Sequence, residues 1–269
     1  MNLSPYLAVF RIRFSNSLQY RAAALAGIST QFAWGFMSLL AFSAFYRVNP
    51  NAFPMEFSQT VSYIWIQQAF LAFFAMWFFE NDILTAISSG SIAYELVRPV
   101  DIYHRWFCQS AANRLARSCL RCAPILIVAF LLPEPFRMSL PASPVQFLLF
   151  LFSAALSLGV VISFCMLIYI SSFYMISSLG IRIITATLTE FLSGAVIPLP
   201  FFPERFRVIA ELLPFAAMEN LPLRIYSGNL KGADTLRGIL LQIFWLLALY
   251  VLGRFLMKGA LKKVVVQGG

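Results

Sequence analysis

Charge is scarce in this chain. Asp, Glu, Lys and Arg together make up 12% of its 269 residues, where a soluble domain carries about 25% because its surface must face water. Hydrophobic residues take their place at 60%, with 28 phenylalanines. Histidine is nearly absent, His104 being the only one, and cysteine is limited to Cys108, Cys119, Cys122 and Cys165. The Cys119-x-x-Cys122 spacing could seat half a zinc site, but a full site needs about four ligands and His104 lies well outside that spacing. Buried structural thiols are the better reading. Period-two alternation is missing as well, which argues against barrel strands.

Other absences narrow the function. The net charge of +9 is not gathered into one basic tract but flanks apolar runs, a pattern of membrane topology rather than of nucleic-acid binding. The N-terminal "YLAVF" is followed at once by Arg11 and Arg13, an order that a cleaved signal peptide does not have. No internal repeat and no pair of intramembrane ionisable groups is evident. Both are usual in ion-gradient-driven secondary transporters, which stand as the second reading. No His/Glu metal set or nucleophile–base pair falls in the apolar runs, so an intramembrane enzyme ranks third.

The apolar residues are collected into runs long enough to cross a bilayer, which takes about 20 residues. The expected fold is therefore an all-α polytopic membrane protein, a single transmembrane domain over 1–269 with six spans. They are placed at 22–46, 59–79, 112–132, 145–170, 183–199 and 239–256. Residues 138–181 carry no charge. As one helix they would reach about 66 Å, twice the hydrocarbon thickness, so the serine-rich "SSFYMISSLGIR" is expected to turn the chain. The segment before Arg21 is too short and too charged to span. Its Tyr6, Leu7, Val9 and Phe10 beside Arg11 and Arg13 suit a helix at the headgroup boundary.

Basic residues then set the orientation. Both termini inside places Arg11, Arg13, Arg21, Arg98, Arg105, Arg114, Arg117, Arg121, Arg182, Arg254, Lys258, Lys262 and Lys263 in the cytoplasm. The other side receives seven, five of them in the segment between spans five and six.

One stretch invites a nucleotide reading. The "LSGA" at 192–195 resembles the tripeptide by which cassette ATPases grip nucleotide, but it sits inside the fifth span, and no G-x-x-x-x-G-K-[ST] occurs in the chain. Gly194 permits close helix approach instead. Pro198, Pro200 and Pro203 then end the helix. Residues 200–237 are too apolar for a free loop and too interrupted to span, which predicts short re-entrant helices in the outer leaflet.

These features resemble a known family. The six spans, the interfacial N-terminal helix, "LSGAVIPLPFFPERFRVIAELLPF", its continuation "PFAAMENLPLRIYSG" and the "ISSGSIAYELVRPVDIY" between spans two and three are similar to the membrane subunit of type-2 ATP-binding-cassette exporters. The likeness covers the whole chain and is closest to the branch in which the permease stands alone. It implies a permease in the bacterial cytoplasmic membrane, paired with a second one, identical or related, and driven by two separate ATPase subunits. ATP and magnesium would be bound there, with no cofactor in this chain and no nucleic-acid partner. The cargo it implies is hydrophobic or amphiphilic: a drug-like compound, a lipid or a lipid-linked glycan. Short outer loops favour a drug-like compound or another amphiphile.

Three groups of residues are candidates for the mechanism. In the inside segment 81–103, Ile83, Leu84 and Ile87 have helical spacing, the "SSG" ending at Gly90 breaks it, and Ile92 resumes it. That segment either lies on lipid or, as the resemblance implies, is a coupling helix in a groove of the ATPase. In the second case Ile83, Leu84, Ile87, Ile92 and Leu96 would pack there, while Glu95 and Arg98 set register. Arg114, Arg117 and Arg121 fall within about 60° of one helical face. They either snorkel to lipid phosphates or line a basic inner vestibule. Glu190, the one acid inside a span, has Thr187 and Thr189 beside it, and Gln67 and Gln68 lie with Tyr63 and Trp65 in span two. The resemblance places spans two and five along the cargo path, which makes Tyr63, Gln67, Gln68, Thr187 and Glu190 candidates for it. For Glu190, a structural pairing with an arginine or proximity to the outer cavity serves equally well. Most phenylalanines are explained by lipid-facing bulk.

Overall fold

The computed structural model describes residues 3–49 and 53–262. Lys263, counted among the cytoplasmic cations, lies outside the described residues. Every regular element among them is helical: α1 (Ser4–Ser17), α2 (Arg21–Val48), α3 (Phe57–Ala69), α4 (Leu71–Phe74), α5 (Asn81–Ser88), α6 (Ala93–Leu96), α7 (Ile102–Leu131), α8 (Pro144–Ser171), α9 (Leu179–Leu192), α10 (Glu204–Leu212), α11 (Pro214–Met218), α12 (Asn220–Tyr226) and α13 (Gly232–Leu261).

Among the described residues, three helices are long and apolar enough to cross a membrane, at Ala24–Val48, Pro144–Tyr174 and Gly232–Leu261. Their outward faces carry large hydrophobics in the open, among them Trp34, Met37 and Leu40 on α2 and Phe244, Leu247 and Val251 on α13. Water would not tolerate apolar surface on this scale; lipid does.

The centre of the fold is α8, packed along α13. Small and polar residues let the two approach. A Cβ on Gly159 would stand 2.8 Å from Leu246, so glycine is what this crossing accommodates. Ser153 Oγ donates to Gln242 Oε1 at 3.0 Å, and Gln242 Nε2 donates to the carbonyls of Ser153 at 3.0 Å and Ala217 at 2.8 Å. In an apolar interior such paired amides fix one register between helices.

Four expected boundaries move. The run at 59–79 is not one helix: α3 stops at Ala69, α4 adds four residues, and Ala75 is extended. The helix expected from 112 begins at Ile102, where Asp101 caps it by accepting from the His104 backbone N–H at 3.0 Å. It continues through Pro124, so it holds more charge than a span alone would. The fifth run ends at Leu192 instead of 199. The chain turns there at Gly194, before any of the three prolines, with φ of 82°. At 14 residues α9 measures about 21 Å, less than the hydrocarbon thickness. The last helix is longer than 239–256 at both ends. The N-terminal helix α1 packs along α7, with Tyr6 buried and its hydroxyl accepting from the Asp101 N–H at 3.0 Å.

Candidate functional site

The break after α3 exposes carbonyls that no helix satisfies. One buried cation takes them. Arg114 on α7 is only 1% exposed. Its Nη1 donates to the carbonyls of Ala72, Phe73 and Ala75 at 3.2, 3.4 and 2.8 Å, and its Nη2 to that of Phe78 at 2.9 Å. Nη2 also lies 3.4 Å from Cys165 Sγ on α8. The guanidinium thus caps the broken helix where it leaves for α5. Arg114 does not belong to an open vestibule.

Next to it, Glu80 begins a second set of ties. Its backbone N–H donates to Tyr169 Oη at 2.8 Å, and its Oε2 accepts from Asn113 Nδ2 at 2.6 Å. Asn113 Oδ1 accepts from Ser17 Oγ at 2.8 Å. One hydrogen-bond chain therefore joins α1, α7 and the residue before α5. Arg13 adds an exposed ion pair to Asp82 at 2.8 Å.

The α5–α6 knuckle is built against its own chain. Ile83 and Ile92 are each 2% exposed, and Leu84 and Ala86 are also buried, so this apolar face is already covered by the chain's own core. Ile87 is half-buried against the same core. Gly90 has φ of 72°, and a Cβ there would meet nothing within 4 Å; the left-handed turn, not crowding, calls for glycine. Glu95 accepts from Trp106 Nε1 at 2.8 Å and is ion-paired with the buried Arg105. What remains open is the tip: Tyr94 is 76% exposed, Val97 82%, and Leu96 and Arg98 are exposed beside them. Of the residues expected to meet a partner, Ile83, Leu84 and Ile92 are thus buried within the chain and Glu95 is paired within it.

Glu95→Gln keeps an acceptor for Trp106 but removes the charge opposite Arg105. Breaking a buried pair costs about 3–5 kcal/mol, and partial exposure reduces that here to about 1–3. The expected result is a lower thermal unfolding midpoint for the purified protein, with Arg98→Gln as the unchanged comparison.

Asp101 ties the knuckle to the last helix. Its Oδ2 accepts from Arg254 Nη1 at 2.5 Å. Burial raises this carboxyl's pKa, but the hydrogen bonds from Arg254 and the His104 N–H more than offset it and leave it below the ordinary aspartate value. A depressed folded-state pKa stabilises at neutral pH and loses its effect only as pH falls through that low value. The gap in unfolding midpoint between wild type and Asp101→Asn is expected to stay constant from neutral to mildly acidic pH and to close only in stronger acid.

In the second half of α3, Tyr63 Oη donates to the Gly194 carbonyl at 3.1 Å. Gln67 Nε2 donates to the Ala195 carbonyl at 2.8 Å and to Glu219 Oε1 at 3.0 Å, while Ser193 Oγ donates to Glu219 Oε2 at 3.2 Å. A Cβ on Gly194 would stand 2.9 Å from Tyr63 Oη and 3.2 Å from the Leu199 nitrogen. The buried Glu219, between α11 and α12, therefore holds the end of α9 and those short helices against α3.

A family model described as ABC-2 family transporter protein matches residues 32–268. The chain belongs to the ABC-2 transporter family. It is a permease component, which is non-catalytic, and family membership implies an ATPase partner. No curated protein matches the chain.

In this ABC-2 permease the residues proposed for a cargo path are divided. Tyr63 and Gln67 meet the Glu219 lock. Gln68 is buried and its carbonyl accepts from Gln31 Nε2 at 2.9 Å. Thr187 is exposed on α9, Thr189 is buried, and Glu190 is half-buried with no basic partner among the described residues. Arg117 lies over the Phe78 ring at 5.3 Å, and Arg121 packs on Gly27. Among the described residues no three of His, Cys, Asp and Glu gather to hold a metal ion.

Sequence reasoning missed Glu80, Asn113, Glu219 and the capping role of Arg114. A signal for Glu219 existed: it is the lone acid in the apolar "FAAMENLPLRIY" of the permease. Glu219→Leu leaves the Gln67 and Ser193 donors without their carboxylate, a loss of about 1–3 kcal/mol per stranded group. Hydrogen exchange in 193–202 is expected to quicken clearly in Glu219→Leu and only slightly in Glu219→Gln.

Proposed function

We propose that this chain is one permease half of an exporter, carrying a hydrophobic or amphiphilic compound out of the cytoplasm with ATP hydrolysed by a separate cassette ATPase. Six crossings, both ends cytoplasmic, are completed by α3–α4, α7 and α9 beside the three long apolar helices. Two such halves, identical or related, would form the path at their interface.

One observation carries the reading. The α5–α6 knuckle is fixed to the body by Glu80, Glu95 and the Arg114 cap, yet it presents Tyr94, Leu96, Val97 and Arg98 at an exposed tip. A lever must be rigid at its root and open at its end. Ile83, Leu84, Ile87 and Ile92 form the root, Gly90 the bend, and the tip supplies the apolar contacts for an ATPase groove. The Glu219 lock joins the second half of α3 to the end of α9 and to the short helices beyond it, so a shift of the lever could be passed through α3 to the outer opening.

Reconstitution tests this. Liposomes holding the chain and its ATPase should move a lipophilic dye only with ATP. Unaided movement by the chain in nucleotide-free liposomes would overturn the proposal and favour a secondary transporter.

A further inference from the structure

A cavity of ≈ 540 Å³ opens between α1, the start of α2, the linker into α5 and α7, with Arg13, Asn16, Tyr20, Asp82, Arg117 and Arg121 on its walls. Its volume falls in the range of small-ligand sites. Arg13 is taken by Asp82, and the Glu80 carboxylate already accepts from Asn113. Arg117 and Arg121 are left. Neither has a carboxylate within ion-pairing distance among the described residues, and Arg121 Nε is buried with no hydrogen-bond partner. Arg121 is also held in place, its guanidinium lying 2.6 Å from where a Cβ on Gly27 would stand.

Arg117 stacks on Phe78 and faces the Glu80 carboxylate without an ion pair, and Arg121 has no acid opposite it among the described residues; two guanidiniums one turn apart on a rigid helix suit the oxygens of a phosphate. The other walls of the cavity identify the source. Tyr20 and Ala24 stand where the apolar run of α2 begins, and Glu80, Asn81 and Asp82 where the apolar run 59–79 has ended, so the cavity opens at the edge of the apolar layer. Arg121, inside the run 112–132, reaches that edge with its long side chain. The headgroup layer is about 5–7 Å deep on each side of the hydrocarbon, so this is where lipid phosphates lie. Tyr20, on the same wall, is a residue type enriched at that boundary.

We propose that this cavity binds the phosphate of an anionic phospholipid headgroup from the inner leaflet, with Arg117 and Arg121 as its ligands. The lipid would wedge between α1 and the root of the knuckle, since Asp82 and Asn81 form the facing wall. The inference rests on the proposed orientation, with both termini cytoplasmic, and is independent of the cargo.

The test uses the permease–ATPase complex in nanodiscs of phosphatidylcholine with or without phosphatidylglycerol, released for native mass spectrometry. Wild type should retain about one phosphatidylglycerol per permease, and Arg117→Gln with Arg121→Gln should retain at least tenfold less. Lys258→Gln with Lys262→Gln, an equal loss of charge, should retain as much as wild type. Arg121→Lys, which keeps the charge but not the fork, should fall between, and it covers a double variant that fails to fold. Equal retention by the folded arginine variants, or equal loss in the lysine control, would overturn the site. Inorganic phosphate binding to the delipidated complex with the same arginine dependence, and no competition from phosphatidylglycerol, would overturn the lipid assignment in favour of a soluble phosphate.

Discussion

Replacing Arg114 by methionine is expected to give the largest loss of stability of any single substitution in the α7 helix. The side chain reaches four backbone carbonyls, two of them at 2.8 and 2.9 Å, in a place with almost no water. Each buried acceptor left without a donor costs about 1–3 kcal/mol. Not having to bury a cation returns part of that, because desolvating a charge is itself costly. The net loss is estimated at about 3 kcal/mol or more. Arg114→Lys should recover only part, since a single ammonium cannot reproduce a planar fork spread over α4 and the following linker. Thermal unfolding of the detergent-purified protein, followed by intrinsic tryptophan fluorescence, checks the order: wild type, then lysine, then methionine. Equal midpoints for wild type and methionine would show that the carbonyls are satisfied in another way.

The second large effect falls on coupling and should leave folding alone. Tyr94→Asp with Val97→Asp places two charges on a tip that is open in the permease. The unfolding midpoint should therefore change little. If the tip enters an apolar groove of the ATPase, the two charges must lose their water there without a partner. ATP-dependent dye transport by the reconstituted complex is expected to drop more than tenfold, while basal ATP hydrolysis continues. Ile92→Asp should behave in the opposite way. Its side chain is enclosed by the permease's own core, so the charge should unfold or misassemble the protein before any question of coupling arises. A transport-competent Ile92→Asp protein would contradict the placement of that face.

The contrast between these positions shows what periodicity can and cannot tell. The spacing of Ile83, Leu84 and Ile87 correctly implies a helix with one apolar face. It is silent on what covers that face, because a partner's groove and the chain's own core demand the same residues. The three arginines of α7 make the same point in another form. Arg114 and Arg121 lie about 20° apart around the helix, yet one is enclosed and the other borders a cavity. Height separates them: seven residues place them about 10 Å apart along the axis, opposite different neighbours. Long apolar runs such as those of α2, α8 and α13 were legible because length alone marks them. The early stop of α9 was not, since the prolines that seemed to end it lie beyond Gly194, whose close fit under Tyr63 is a tertiary fact. The same holds for Glu219, whose partners are 26 and 152 residues away in sequence.

A photoreactive phenylalanine analogue at position 94, 97 or 92 of the permease, illuminated in the assembled complex, puts the lever idea to its most direct test. Adducts with the ATPase subunit are expected from 94 and 97, with none from 92. An intact complex that yields no ATPase adduct from either tip position would mean that force enters this permease elsewhere.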